Sequence, residues 1–114
     1  MDIDDVIEIV DRLEKGHSCL VESEEDFLED HIYNYEKKSL ERSDSKLYLP
    51  KGTEGEILEA RVLKQPTMDG SAFEICVRWS LGITSLYYDG NKPYVPIRIK
   101  SYNPPIDSSQ LRLL

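Results

Sequence analysis

Two histidines and two cysteines are the side chains with which this 114-residue chain could do nucleophilic, acid–base or zinc chemistry near neutral pH. His17 and Cys19 stand two apart, a spacing at which a thiol and a general base can approach in an extended segment. A nucleophilic thiol also needs an electropositive setting to lower its pKa, and Cys19 lies in the most acidic part of the chain. The pair therefore reads as an incidental thiol beside a surface histidine. With His31 and Cys76 added, the four side chains are of zinc-binding types, but their spacing fits none of the paired templates of structural sites. Glu22, Glu24, Glu25, Asp26, Glu29 and Asp30 offer oxygen ligands for calcium without the glycine and ligand periodicity of an EF-hand loop. Gly52 and Gly55 lack the Lys-Ser/Thr pair and the following helix of a phosphate loop, so their task is to turn the backbone. No catalytic residue, metal or other cofactor is assigned.

The elements that hold these residues follow from the spacing of apolar side chains. Ile3, Val6, Ile7, Val10 and Leu13 recur at helical intervals between Asp2, a good N-cap, and Gly16, a good stop, and predict an amphipathic helix. Cys19-Leu20-Val21 is too short a run to assign. Ser23 precedes Asp26 by three, as in a capping box, and Phe27, Leu28, His31, Ile32 and Tyr35 continue at helical spacing with Lys37, Lys38 and Arg42 near the far end. A second helix over about 24–41 is expected, followed by a linker at Ser43-Asp44-Ser45. From Pro50 the period becomes two. Strands are predicted over 56–63, 73–79, 85–88 and 94–99, with turns at 67–71, Gly82 and Asp89-Gly90-Asn91. In the strand over 73–79, Phe73, Ile75, Val77 and Trp79 share one face. Asn103-Pro104-Pro105 ends the strand region, and the tail to Leu114 is apolar at Leu111, Leu113 and Leu114.

The charge is divided as sharply as the periodicity. Residues 1–49 hold fifteen acidic and six basic side chains, and the remainder holds seven and eight, so that −9 and +1 give the chain its −8. A polyanion opposes phosphate backbones and anionic membranes, which disfavours direct nucleic-acid binding and membrane docking and favours a cationic protein surface as partner. No apolar run reaches the length of a spanning helix and no cationic region precedes an apolar stretch at Met1, so a cytoplasmic location with reduced thiols is expected.

The order of features from Leu49 to Tyr102 resembles an SH3-like small barrel of the broad kind that includes KOW-type modules. The resemblance rests on Lys51-Gly52-Thr53-Glu54-Gly55-Glu56-Ile57, on Val77-Arg78-Trp79 followed by Gly82, and on Tyr87-Tyr88. It implies a binding module, and although many KOW-type members contact nucleic acid or ribosomal components, this chain lacks the basic surface that such contact uses. The expected fold class is α+β, with N-terminal helices followed by a small antiparallel SH3-like β-barrel or meander. It divides into an acidic helical segment over 1–48, the barrel over 49–103 and a C-terminal tail over 104–114.

The function expected on these grounds is a non-enzymatic interaction or regulatory module. Glu22, Glu24, Glu25, Asp26, Glu29 and Asp30 would attract a basic partner from a helical surface, and exposed aromatics such as Tyr33, Tyr87 or Tyr94 would anchor it. Tyr87 and Tyr88 must point to opposite faces of a strand, while the alternation places Trp79 in the core. The alternative is a small acidic inhibitor that mimics nucleic acid and blocks a DNA- or RNA-binding protein. An enzyme, the least favoured class, would require a pocket built around His17 or His31.

Overall fold

A computed structural model describes residues 1–68, 70–90 and 94–105, with the backbone alone at 30, 44 and 45. Its first element, α1 (Ile3–Glu14), forms where the capping chemistry requires it. The Asp2 carboxylate accepts from the Asp5 backbone N–H at 3.0 Å and the Asp5 carboxylate accepts from the Asp2 N–H at 3.0 Å. Past Lys15, Gly16 takes a φ of +82°, a left-handed conformation that glycine adopts without strain, and the helix stops.

Among the described residues every later element is a strand: β1 (Ser18–Ser23), β2 (Phe27–Asn34), β3 (Ser39–Leu49), β4 (Glu54–Val62), β5 (Phe73–Trp79), β6 (Thr84–Tyr88) and β7 (Ile97–Asn103). Five form an antiparallel sheet in the order β6-β5-β4-β1-β7, and β2 and β3 pair only with each other. β1 pairs with β4 and β2 with β3, so the two pairs are successive halves of one long ribbon with a bend between them. One face of the sheet carries Cys19 and Val21 from β1, Ile57 from β4, Phe73, Ile75, Val77 and Trp79 from β5, and Ile97 from β7. α1 closes over this face with the fully buried Val6 and Ile9. Gly55 is opposite Trp79 in the ladder, and a Cβ there would lie 2.7 Å from the indole and 2.8 Å from Val77. The glycine is what lets the largest core side chain lie against β4.

The second predicted helix does not exist, and the segment from Glu24 to Glu41 is instead the bend, β2, the turn and the start of β3. Ser23 and Asp26, which resemble a helix cap in sequence, tie the bend to the 50–53 corner. The Thr53 N–H donates to Ser23 Oγ at 3.0 Å, Ser23 Oγ donates to the Pro50 carbonyl at 2.9 Å, and the Lys51 N–H donates to Asp26 at 2.7 Å. Helical spacing loses here because Phe27 reaches the Trp79 and Tyr87 rings, with centroids at 6.4 and 5.4 Å, and an isolated helix could not supply that burial.

The barrel expectation is also corrected, because β6 and β7 stand at opposite edges of an open sheet. The ribbon that would have to bridge them forms a two-stranded sheet of its own on the β6 side. Ser43-Asp44-Ser45 is part of β3 rather than a linker. The ladder there passes from Glu29↔Leu47 to His31↔Arg42, which sets one residue of β2 against four of β3. The unassigned run Cys19-Leu20-Val21 is the middle of β1, between β4 and β7, and the last strand begins at Ile97 rather than at Tyr94. The apolar positions Leu111, Leu113 and Leu114 of the tail lie outside the described residues, as does Asn91 of the predicted turn.

Two substitutions test this packing. Gly55→Ala drives a methyl group into the indole and Val77 and should cost about 1–3 kcal/mol, the range for overpacking a core. Ser23→Ala removes the shorter of the two bonds of the Thr53 N–H, which keeps the Pro50 carbonyl at 3.2 Å, and removes the Ser23 hydroxyl from that carbonyl, and should cost about 0.5–1.5 kcal/mol. Urea unfolding midpoints measure both, and wild-type stability in either variant would show that the close approach or the bend is not formed.

Candidate functional site

The acidic residues that are contiguous in sequence have separate partners in the fold. Glu22, in β1, accepts from Arg98 at 2.6 Å and lies 3.7 Å from Lys100, and the Arg98 guanidinium holds its carboxyl below the usual carboxylate range. Glu24 accepts from the Tyr94 hydroxyl, Asp26 from the Lys51 N–H and the Tyr48 hydroxyl, and Glu29 from the Tyr87 hydroxyl at 2.5 Å. Glu25 is exposed in the bend, and the side chain of Asp30 lies outside what the structure describes. Glu22, Asp26 and Glu29 therefore tie parts of the chain together, while Glu24 holds the hydroxyl of the exposed Tyr94.

Tyr87 serves the fold too. Its hydroxyl accepts from Trp79 Nε1 at 3.1 Å while donating to Glu29, and burial, followed by the Glu29 bond, raises its pKa strongly. Tyr88, its neighbour, points the other way and is half exposed.

A different set of carboxylates converges around Tyr94. Asp2 and Asp5, from the start of α1, join Glu24, from the bend after β1, and all three act on the tyrosine. The hydrogen bond to Glu24 comes first, then burial, then the negative charges of Glu24, Asp5 and Asp2, and together they push the Tyr94 hydroxyl up to about 12. The backbone assembles this end: the Met1 amino group donates to the Val95 carbonyl at 2.7 Å and the Val95 N–H donates to the Met1 carbonyl at 2.8 Å. Asp4 is exposed there, and Ile3 and Ile7 leave 38% and 52% of their area in solvent on the same helix. Sequence reasoning missed this grouping because Asp2 and Asp5 lie about ninety residues from Tyr94. Only the excess of acid at the N-terminus hinted at it.

The second feature is a groove of about 550 Å³ between the tip of the β2–β3 hairpin and the sheet face away from α1. Its floor is Cys76 and Leu86, and Tyr33, Leu40 and Tyr88 stand beside it. A bulge in β4 helps to build it: Ile57 pairs with Val77 and Glu59 with Cys76, so the extra residue Leu58 turns Glu59 outward next to the thiol. Lys38 reaches from the hairpin to Glu59 at 3.1 Å with its ammonium 3.4 Å from the centre of the Tyr35 ring, and Arg61 pairs with Glu74.

Neither cysteine has the surroundings of a nucleophile. Burial, reinforced by Glu8, raises the Cys19 thiol to about 12, and burial, with Glu59 next, raises Cys76 to about 11. His17 Nδ1 is buried without a hydrogen-bond partner among the described residues. Among those residues no group of three His, Cys, Asp or Glu side chains is placed to hold a metal ion, and no helix is long and apolar enough to cross a membrane. No family model, curated protein or solved structure matches the chain, so its function is argued from these surfaces alone.

Alkaline titration checks the placement of these groups. Cys76, Cys19, Tyr94 and Tyr102 hold their protons to about 11, 12, 12 and 12 in the fold against ordinary values of 9.0 for thiols and 10.0 for phenols. Folding thus favours the protonated forms. Their contribution is fully present below about pH 9 and is lost as the pH rises towards 12. The urea midpoint should fall across that window, with tyrosinate absorbance developing in step. Tyrosines that all titrate near 10.0 at constant stability would contradict the arrangement.

Proposed function

We propose that the chain is a non-catalytic interaction module that docks a basic protein partner. The observation that carries the reading is the exposed Tyr94 bonded to Glu24 where the pairing of Met1 with Val95 brings the acidic start of α1 alongside, with Asp4, Ile3 and Ile7 exposed on that helix. Long-range attraction from a chain of net charge −8 steers a cationic surface towards this end, and the exposed tyrosine supplies the short-range anchor. The free, buried thiols fit a reducing compartment such as the cytosol.

Capture from native lysate at low and moderate salt, with and without nuclease, tests the reading when it is paired with Asp4→Asn combined with Glu24→Gln. That double variant keeps the Asp2–Asp5 cap while removing the exposed charge of Asp4 and the half-buried charge of Glu24, and the amide oxygen introduced at position 24 can still accept from Tyr94. A basic protein that survives nuclease, and that associates several-fold more slowly with the variant and with a weaker salt dependence, is the expected result. Unchanged association would remove the acidic end from the reading. A partner displaced by added DNA or RNA would favour the nucleic-acid mimic instead.

A further inference from the structure

We propose that the groove under the hairpin tip receives an arginine-bearing extended segment of the basic partner, the arginine replacing Lys38 at Glu59; the partner's charge rests on the reading above. The groove already performs this recognition on a cation of its own chain. Lys38 comes from the turn between β2 and β3, twenty-one residues before Glu59, and is bound at once by a carboxylate at 3.1 Å and by the face of Tyr35 at 3.4 Å. A carboxylate combined with an aromatic face is a cation-binding arrangement, and a guanidinium fits it better than an ammonium because it is planar, stacks on rings and is less strongly hydrated.

The two ion pairs of the groove differ in how readily they exchange. The Glu74 side chain is only 13% exposed where it meets Arg61, whereas Lys38 and Glu59 are 54% and 43% exposed, and an ion pair that solvated contributes little to stability. Glu59 is therefore the carboxylate that an incoming cation can take. Between the pairs the floor is apolar, Cys76 and Leu86, and Tyr33 and Tyr88 supply amphipathic walls for the neighbouring side chains of the segment. The strands that bound the groove on both sides favour an extended chain, and an anion would have to approach a protein of net charge −8 whose groove cations are already neutralised.

The probe is the peptide acetyl-Leu-Arg-Tyr-Arg-Leu-amide, titrated into the full chain labelled with ¹⁵N, beside a control with glutamine at both arginines. Backbone shifts should concentrate at Leu40, Glu59, Cys76 and Leu86, and the control should bind at least tenfold more weakly. Lys38→Ala frees Glu59 and should tighten the peptide at least threefold, whereas Glu59→Gln should weaken it at least fivefold. Both variants break the Lys38–Glu59 pair, so their opposite effects separate the Glu59 carboxylate from the placement of the hairpin tip. Shifts that collect around Tyr94, equal binding of the control, or a Lys38→Ala variant that binds no more tightly would overturn the proposal. If the captured basic partner binds Glu59→Gln as it binds the wild type, the groove assignment fails while the module reading stands. Loss of binding only on neutralising the acidic end likewise rejects the groove.

Discussion

The hydroxyl of Ser23, 1% exposed, holds the corner on which the remaining architecture depends. It accepts from the Thr53 N–H and donates to the Pro50 carbonyl, while the Ser23 backbone is bonded to Thr53 and Gly52. Antiparallel ribbons tend to continue straight, and here the bend is held by these bonds and by the Glu24 N–H, which donates to the Pro96 carbonyl at 2.9 Å. The ribbon can then turn off the sheet, set Phe27 against Trp79 and carry its tip to the opposite face, where Lys38 meets Glu59. Without the corner, Trp79 would lose a neighbouring ring and the groove its upper wall.

The acidic composition acquires two separate meanings in the fold. Glu22, Asp26 and Glu29 satisfy internal donors, and Glu29 holds the Tyr87 hydroxyl that in turn receives the indole N–H. A partly buried chain of this kind fixes one packing arrangement because each member loses a partner if another moves. Glu24, by contrast, bonds the exposed Tyr94 at the end where Met1 pairs with Val95 and α1 begins with Asp2, Asp4 and Asp5. Net charge alone cannot separate these two populations, although it sets the sign of the partner that either groove or end would attract.

α1 and β5 were legible because their signals are local. Asp2 and Asp5 cap one turn, and the alternation Phe73, Ile75, Val77, Trp79 has a single consistent reading, which β5 (Phe73–Trp79) follows. The turn glycines and the opposite orientations of Tyr87 and Tyr88 were legible for the same reason. The segment 24–41 was not, since Phe27, Leu28, His31, Ile32 and Tyr35 satisfy a helical period as well as a strand interrupted by a bulge, and the choice between them is made by Trp79 and Tyr87 more than fifty residues away. The excess of acid in the N-terminal half was legible, whereas the place of each carboxylate in the fold was not. Of the residues expected to bind, Glu24 and Tyr94 meet at one end, Tyr33 lines the groove and Tyr87 is packed inside, while Asp2 and Asp5 enter through a pairing of Met1 with Val95 that no sequence period encodes.

That pairing, with the ladder that joins Ser18 to Asn103, gives the chain a particular folding history. β1 lies second from the β7 edge of the sheet, yet its partners are β4 and β7, so most of the chain must be present before β1 is paired on both sides. Contacts this distant in sequence incur a large loop-closure entropy before any burial offsets it, which places the molecule among slow-folding, high-contact-order topologies. While β7 is still absent, one edge of β1 and the apolar side chains of Cys19 and Val21 stand open. For that interval the nascent protein has the exposed strand edge that makes β-rich chains dependent on chaperones.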